Sequence, residues 1–311
     1  MNSIKFGATM YMPSLRSDLA EVGNGLKFPS LRTVIFCLED SIAEADLPLA
    51  MENLKAALPK LQKSKVHRFI RPRSLSVLAM LLSFPGIESV EGFVVPKADR
   101  ATLPGYLKLL ESREGFLIMP TLETRAVFDL EEMYRLRDYL ISSPLRGRVP
   151  LLRIGSMDLL GILSLRRDLS RVIYETPVGH AIDQLITVFK PADLSLSAPG
   201  FEGLDNPEVL AEELSLDVGR GLFGKTCVHP AQVEAIHSAY KVSAEELEMA
   251  EAILDPERPA VFRLGGRMCE KAVHSNWAVT VLERSRIFGP AGDFPIAYYH
   301  PSEDSAFGPR A

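Results

Sequence analysis

Two carboxylates, Glu123 and Asp158, stand at the ends of two separate apolar runs of the chain. The runs read GFLIMPTLE over 115–123 and VPLLRIGSMD over 149–158, so each ends in an acid where a buried strand would emerge into a loop. Mg²⁺ typically takes one or two protein carboxylates together with water and substrate oxygens. If the two acids lie close together in the fold, they predict a Mg²⁺ site, with Mn²⁺ as the alternative. If they lie apart, each would cap a helix or pair with a loop cation.

Charged or ionisable side chains follow most of the other apolar runs as well. They are Glu39 and Asp40, Arg71 and Arg73, Lys97, and His229. A buried guanidinium such as that of Arg71 needs an anionic partner, which Glu39 or Asp40 would provide within the protein. A substrate carboxylate or a developing enolate would be its functional partner. We therefore predict Arg71, Glu39 and Asp40 as catalytic residues.

Three of these charged positions carry weaker predictions. Arg73 lies one step further into the loop than Arg71, and their roles are exchangeable on sequence alone. Lys97 is flanked by charged residues, which favours a solvated side chain over a Schiff-base lysine in an apolar pocket. His229, between an apolar strand and a proline, fits a structural hydrogen bond at least as well as catalysis.

Gly155 and Ser156 precede Asp158 in the sequence GSMD. A glycine lets the backbone turn sharply and approach a ligand closely, and amides at a helix start can bind a carboxylate. A plain strand-to-helix turn is the alternative. We predict Arg71, Glu123, Gly155 and Ser156 as the substrate-binding residues.

The elements that must position these side chains alternate along the chain. Eight near-continuously apolar runs cover 5–12, 33–39, 67–71, 92–96, 116–122, 150–155, 193–198 and 225–229. Such runs are typical of parallel strands buried on both faces, and amphipathic stretches lie between them. Repeated strand and helix predict an α/β protein with a (β/α)₈ TIM barrel, whose chemistry gathers at the carboxyl ends of the strands.

The predicted organisation has three parts. Residues 1–242 form the barrel, which suits the roughly 250 residues that such barrels need. Residues 243–288 form extra C-terminal helices, one of them over 267–288, that pack on the barrel or on a neighbouring subunit. Residues 289–311, rich in proline, glycine and aromatic residues, form an irregular tail.

Composition excludes several classes of partner. With 35 basic and 40 acidic residues the net charge is −5, which gives no reason to expect nucleic acid or an anionic membrane. The longest apolar stretch, Val77 to Leu82, is far shorter than the ~20 residues that span a bilayer. Three widely spaced cysteines indicate neither a zinc site nor a disulfide framework. We expect a cytoplasmic protein with a small-molecule substrate.

Several motifs resemble those of the citrate lyase β-subunit-like branch of the HpcH/HpaI aldolase superfamily. GKTCVHPAQV (224–233) resembles the GK-x-x-IHP-x-Q-V segment, CLEDSI (37–42) the DLEDAV stretch, PTLET (120–124) the acidic strand-five motif and IGSMDL (154–159) the FG-x-x-D motif. The pattern also resembles a divergent carbon–carbon lyase subgroup of barrels from tellurite-resistance-associated gene clusters.

The resemblance implies a (β/α)₈ barrel in trimers or hexamers that breaks or forms a carbon–carbon bond with Mg²⁺ through an enolate. Its metal ligands fall on Glu123 and Asp158, and its substrate-binding, enolate-stabilising arginine falls on Arg71. Its second-strand acidic pair falls on Glu39 and Asp40. The implied substrate is a small oxo acid or an acyl-coenzyme A thioester.

This chain departs from that pattern at three places. Cys37 replaces the first aspartate of DLED, Met12-Pro13-Ser14 replaces VPG, and RPRS replaces R-x-N. Only Arg16 and then Lys27 supply basic residues after the first-strand turn, which argues against coenzyme A. A non-catalytic or regulatory barrel that keeps the pocket, and phosphoenolpyruvate-type chemistry on a similar metal site, stay open as alternatives.

Overall fold

The computed structural model describes residues 3–291, which lie in two compact units, Met1–Pro230 and Ala231–Ala311. Each unit is described by itself below. No helix within residues 3–291 is long and apolar enough to cross a membrane.

The first unit contains a parallel sheet of seven strands in the order β6-β5-β4-β3-β2-β1-β7. The strands are β1 Thr9–Pro13, β2 Thr33–Cys37, β3 His67–Arg71, β4 Gly92–Val95, β5 Leu117–Leu122, β6 Arg153–Ile154 and β7 Thr226–Cys227. Every neighbouring pair is parallel, so the carboxyl ends of all seven strands lie at one edge. The predicted α/β class with parallel strands is confirmed.

Helices connect these strands. They are α1 Leu19–Gly23, α2 Leu47–Ala57, α3 Leu75–Leu81, α4 Leu103–Glu111, α5 Leu130–Ser142, α6 Ser156–Ile162, α7 Pro177–Phe189 and α8 Pro207–Gly219. Side-chain N-caps stabilise the starts of two of these helices. Ser74 accepts a hydrogen bond from the Val77 amide, and Asp129 accepts from two amides of the first turn of α5.

The seventh predicted strand, 193–198, is not a regular strand. This part of the chain makes only isolated parallel bridges, from Leu196 to Leu152, from Ser197 to Phe223 and from Phe201 to Cys227. Asp193 has a left-handed backbone with φ of 56°, and the following Pro199 has no amide hydrogen for a ladder. Seven strands are therefore seen where eight were predicted, and a closed eight-stranded ring stays a prediction.

The first predicted strand also starts later than expected. Residues Ile4–Phe6 form a short 3₁₀ turn, and Gly7 follows with φ of 54°. That left-handed backbone suits a glycine and cannot belong to a strand. The strand consequently begins at Thr9.

One face of the sheet changes from apolar to polar towards its carboxyl edge. Its apolar part is a buried cluster contributed by the strands and by the 3₁₀ turn before β1: Phe6, Ile35, Phe69, Val94, Met119 and Leu151. Side chains two residues apart on a strand share a face. Phe69 is therefore followed by Arg71, and Leu151 by Arg153. The apolar cluster supports a polar layer above it.

The second unit holds α9 Val233–Ala239, α10 Ala244–Leu254, β8 Val261–Leu264, β9 Arg267–Glu270 and α11 Lys271–Phe288. Ser243 and Glu246 form a capping box at the start of α10. Its core is a buried cluster that includes Met249, Ile253, Cys269 and Val281.

The helix predicted over 267–288 begins four residues late, because β8 and β9 form an antiparallel hairpin inside the extension that was predicted to be helical. Gly265 and Gly266 both have positive φ, which a tight hairpin turn requires. Of the predicted irregular tail, residues 289–291 are described, and Pro290 makes a bridge to Val242. Residues 292–311 lie outside the described residues.

Candidate active site

Glu123 and Asp158 lie on neighbouring elements at the carboxyl edge of the sheet. Strands β5 and β6 pair through Thr121 with Arg153 and Leu122 with Ile154, so Glu123 follows β5 beside the turn that leads into α6. Glu123 is only 3% exposed. Burial raises the pKa of Glu123 to about 7; Arg71 opposes this rise and the Asp158 charge adds to it. The structure thus brings the two carboxylates into one electrostatic site.

Asp158 lies in the first turn of α6, and its ionised form is also disfavoured. Burial raises its pKa, Lys97 opposes this, and the charge of Asp40 raises it further. Its nearest cation is the Lys97 ammonium, 3.9 Å from Oδ1. Two acids whose ionised forms are both disfavoured would be stabilised by a bound divalent cation.

Gly155 makes room for Glu123. A Cβ atom at position 155 would lie 2.3 Å from Oε2 and 2.6 Å from Cβ of Glu123, which no real contact allows. The Gly155 amide donates to the Leu122 carbonyl at 3.2 Å, so this N–H is already used within the sheet. What the site requires of Gly155 is therefore the absence of a side chain. Ser156 is buried at the start of α6; the substrate-binding roles of both residues stay predictions.

Replacing Gly155 with alanine is expected to lower Mg²⁺ affinity by about 10- to 100-fold. The new methyl group displaces the Glu123 carboxylate, and the loss of a supporting contact at a metal site typically has this effect. Gly161 of α6 is the matched control, because nothing lies within 4 Å of a Cβ atom built there. Gly161→Ala should keep Mg²⁺ affinity and stabilise the helix by up to about 1 kcal/mol. Calorimetric titration with MgCl₂ measures both variants, and equal affinities would contradict this account of the pocket.

Arg71 joins the two acidic pairs of the site. Its Nη2 donates to Glu39 and Asp40 and lies 3.9 Å from Oε1 of Glu123. Burial alone would lower the pKa of Arg71, but the neighbouring acidic groups, Tyr11 and Glu123 first among them, raise it above its ordinary value. Its charge is therefore permanent. Its Nε has no partner among the described atoms.

Arg73 binds backbone carbonyl groups instead of the carboxylates. Its guanidinium donates to the carbonyl oxygens of Leu38, at 3.3 Å, and of Glu39, at 3.1 Å, and to that of Ile42. These bonds brace the loop that follows β2. The structure thus distinguishes two arginines that the sequence left exchangeable: Arg71 contacts the carboxylates, and Arg73 holds their loop.

Lys97, which its charged neighbours in the sequence favoured as a solvated lysine, contacts the acidic residues of the site. Nearly half of its side chain is exposed, as expected of a solvated lysine, yet its ammonium pairs with Glu39 and lies 3.1 Å from Asp40. Its backbone has φ of 47°, and its amide donates to Oε1 of Glu123 at 2.8 Å. The available signal was its place directly after an apolar strand that ends at the same edge.

The ion pairs of Lys97 also decide its protonation. Burial lowers the pKa of Lys97, but hydrogen bonds to Glu39 and Asp40 outweigh this effect and raise the pKa above its ordinary value. A Schiff-base lysine needs the opposite shift. Lys97 is therefore a fixed cation and a support for Glu123.

Glu39 and Asp40 complete a four-group network with Arg71 and Lys97. Burial, with the neighbouring Asp40, raises the pKa of Glu39. Burial would also raise the pKa of Asp40, but hydrogen bonding with Glu39 and the charges of Arg71 and Lys97 lower it to about 2. Asp40 is thus ionised at neutral pH and, with Glu39, fixes the position of both cations.

The two carboxylates are a donor set that suits Mg²⁺. Among residues 3–291 no group of three or more histidine, cysteine or acidic side chains is arranged to hold a metal ion. Zinc sites use three or four such ligands, whereas Mg²⁺ keeps water or substrate oxygens beside one or two carboxylates. The pair of Glu123 and Asp158, with the space left by Gly155, matches the second pattern.

Comparisons with known proteins identify the family of the chain. The sequence model of a family described as C–C bond lyases of the TIM-barrel fold matches residues 1–290. A (3S)-malyl-CoA thioesterase of Cereibacter sphaeroides is 24% identical over 246 residues, which are 79% of this chain and 80% of that protein.

Solved structures are similar as well. A citrate lyase of Burkholderia xenovorans superposes with a TM-score of 0.72 at 16% identity, over 94% of each chain. CitE of Mycobacterium tuberculosis, in complex with magnesium, acetoacetate and coenzyme A, has a TM-score of 0.65 at 20% identity, over 90% of this chain and 98% of that one. At such identities the structural likeness concerns the fold alone.

Proposed function

Because this chain belongs to the family of C–C bond lyases of the TIM-barrel fold, we propose that it is a Mg²⁺-dependent lyase or aldolase acting on a small oxo acid through an enolate. The observation that carries the proposal is the pair of the buried Glu123 and the half-buried Asp158 beside Arg71, at the carboxyl edge of a parallel sheet. This edge is where enzymes with TIM barrels place their chemistry. In the proposed barrel, the isolated bridges around Leu196 and Phe201 take the place of the eighth strand.

Glu123 and Asp158 would hold the metal ion. A bound Mg²⁺ acts as a Lewis acid that polarises a carbonyl oxygen. Two features of the protein support the fit of Mg²⁺ to these residues. Both acids have raised pKa values, and Gly155 has no side chain that would displace the Glu123 carboxylate. Lys97 fixes Oε1 of Glu123 through its amide, so one carboxylate oxygen is already oriented.

Arg71 would provide a fixed positive charge where the enolate develops. Such preorganised charges stabilise the transition state because no reorganisation is needed at the moment of reaction. Glu39 and Asp40 hold the guanidinium in place and would orient it towards substrate. Lys97 stays protonated and adds a second cation to the same network.

A free oxo acid fits this chain better than a coenzyme A thioester. Arg16 and Lys27, the basic residues that follow the first strand, both pair with Asp18, Arg16 at 2.6 Å. The two cations share this one carboxylate, so only one net positive charge remains there for the phosphate groups of coenzyme A. The malyl-CoA thioesterase relatives and the CitE structure with coenzyme A nevertheless make thioesters a necessary part of any assay.

The test is a product assay with Mg²⁺. The purified protein is incubated with 4-hydroxy-2-oxo acids, with malyl- and citryl-coenzyme A, and with phosphoenolpyruvate, and products are identified by NMR. We expect cleavage of at least one hydroxy-oxo acid into an oxo acid and a carbonyl product, abolished by EDTA and restored by Mg²⁺.

Each other outcome identifies an alternative. Release of free coenzyme A without carbon–carbon cleavage would indicate a thioesterase, and phosphate release would indicate phosphoenolpyruvate-type chemistry. Binding of Mg²⁺ and pyruvate without any turnover would indicate a ligand-binding barrel. Assembly into a homo-oligomer, a trimer or hexamer, remains a prediction that sedimentation tests separately.

A further inference from the structure

The cluster of charged groups at the carboxyl edge of the sheet contains more acids than cations. Its carboxylates are those of Glu39, Asp40, Glu123 and Asp158, and its cations are Arg71 and Lys97. With every group ionised, the cluster has an excess of negative charge that one divalent cation would balance. Mg²⁺ and the cations of the protein therefore act on the same acids.

The two cations of this cluster lie in different surroundings. Arg71 is buried, with 9% of its side chain exposed, and its Nη2 donates to both Glu39 and Asp40. The side chain of Lys97 is 47% exposed, and that of Asp158 beside it is 32% exposed. Metal ions enter a site from solvent, so Lys97 is the cation on the side that an incoming ion meets.

The Lys97 ammonium contacts carboxylates on both sides of the cluster. It pairs with Glu39, lies 3.1 Å from Oδ1 of Asp40 and lies 3.9 Å from Oδ1 of Asp158. A cation at this distance stabilises the ionised form of Asp158. The same charge repels a divalent cation that approaches the same carboxylate. Lys97 and Mg²⁺ thus oppose each other at Asp158.

The backbone of Lys97 acts separately from its ammonium. Its amide donates to Oε1 of Glu123 at 2.8 Å, and its φ of 47° is left-handed. Methionine, glutamine and arginine keep this amide and, like lysine, are unbranched at Cβ, so the left-handed backbone should affect all four alike. Such substitutions change the end of the side chain and leave the bond to Glu123 in place.

We propose that Lys97 sets the affinity of the site for Mg²⁺, because its ammonium competes with the metal ion for Asp158. The inference rests on the proposed function, in which Asp158 is a ligand of that metal ion. The ammonium already neutralises part of the negative charge of the acids, so Mg²⁺ gains less free energy on binding. The consequence is a site that holds Mg²⁺ less tightly than its acids alone would allow.

The test removes the charge of Lys97 and measures metal binding directly. MgCl₂ is titrated calorimetrically into the wild-type protein and into Lys97→Met, without substrate and at low ionic strength, where charges are least screened. Lys97→Met is expected to bind Mg²⁺ about tenfold more tightly, because solvent keeps the effect of a half-exposed charge well below that of a buried one. Lys97→Gln, which is also neutral, should behave in the same way and replaces Lys97→Met if that variant does not fold.

Two control variants separate the local charge from other effects. Lys97→Arg keeps a positive charge at this position and should bind Mg²⁺ within about threefold of the wild-type affinity. Lys60 is exposed and precedes the amino end of β3, at the opposite edge of the sheet. Lys60→Met loses the same charge from the whole protein and should keep the wild-type affinity, because salt screens distant charges.

Thermal unfolding separates competition from a structural role of Lys97. Without Mg²⁺, Lys97→Met should unfold at a lower temperature than the wild type, because Arg71 then remains as the cation of the cluster. Saturating Mg²⁺ should raise the midpoint of the variant by more than that of the wild type, since stabilisation by a ligand grows with its affinity. A lysine that only braced its loop would lower the midpoint equally with and without Mg²⁺.

Each result supports or overturns the assignment. Tighter Mg²⁺ binding by Lys97→Met or Lys97→Gln, with wild-type affinity in both controls, supports it. Equal or weaker binding by the two neutral variants would overturn the competition and leave the metal site intact. Tighter binding by Lys97→Arg as well would also overturn it, because the charge would not be the cause. If the wild-type protein binds no Mg²⁺, the proposed function fails and this inference fails with it.

Discussion

Glu123→Gln is expected to lower Mg²⁺ affinity by at least about 100-fold and to abolish turnover. Glutamine keeps the shape of the side chain and removes the charge that a hard cation requires. Loss of a supporting group alone costs about 10- to 100-fold at metal sites, so loss of a direct ligand exceeds that range. Asp158→Asn should act in the same direction. Calorimetric titration with MgCl₂ measures the affinity, and a product assay measures turnover.

Glu123→Gln is also expected to change the stability of the metal-free protein in a pH-dependent way. Glu123 has a folded-state pKa of about 7, raised mainly by burial above its ordinary value, so the folded protein binds its proton more tightly than the unfolded chain. This contribution to stability is complete at low pH and is lost as pH rises towards 7. Glu123→Gln should therefore unfold at a higher temperature than the wild type at pH 8, with the difference shrinking at pH 4.

The control for this pair is Glu131→Gln on α5. Glu131 is highly exposed and pairs with Arg135 on the surface, so Mg²⁺ affinity and turnover should not change. If both Glu123→Gln and Asp158→Asn keep wild-type Mg²⁺ affinity, these residues are not the metal ligands.

Arg71→Met is expected to reduce turnover by about 10²–10³-fold. Removal of one preorganised electrostatic contact to a developing anion typically has this size. Arg71→Lys keeps the charge but loses the planar guanidinium whose Nη2 donates to both Glu39 and Asp40, and should recover only part of the rate. Steady-state kinetics on the substrate identified by the product assay gives both numbers.

A second arginine of the same strand serves as the control. Arg68 of β3 is also buried, and its Nη2 donates to the Gln62 carbonyl at 2.7 Å, away from the acidic network. Arg68→Met should lower the unfolding temperature and leave the rate per folded molecule unchanged. A rate for Arg71→Met equal to that of Arg68→Met would remove Arg71 from the reaction.

Much of the fold was predictable because its signals are local. Near-continuous apolar runs identify parallel strands buried on both faces, and seven of them, from β1 to β7, lie close to the predicted positions. The run at 193–198 is not a regular strand, because between the left-handed Asp193 and Pro199 it forms only short parallel bridges. The hairpin of β8 and β9 was missed because each of its strands has only 4 residues, too few for an alternating pattern to stand out.

The candidate site was also predictable only in part. The sequence by itself determined which acids and which arginine end their strands, because the carboxyl ends of parallel strands meet at one edge whatever the loops do. Only the tertiary structure decided that Lys97 turns back onto Glu39 and that Gly155 makes room for Glu123. These facts depend on contacts between residues far apart in the chain, which no local pattern encodes.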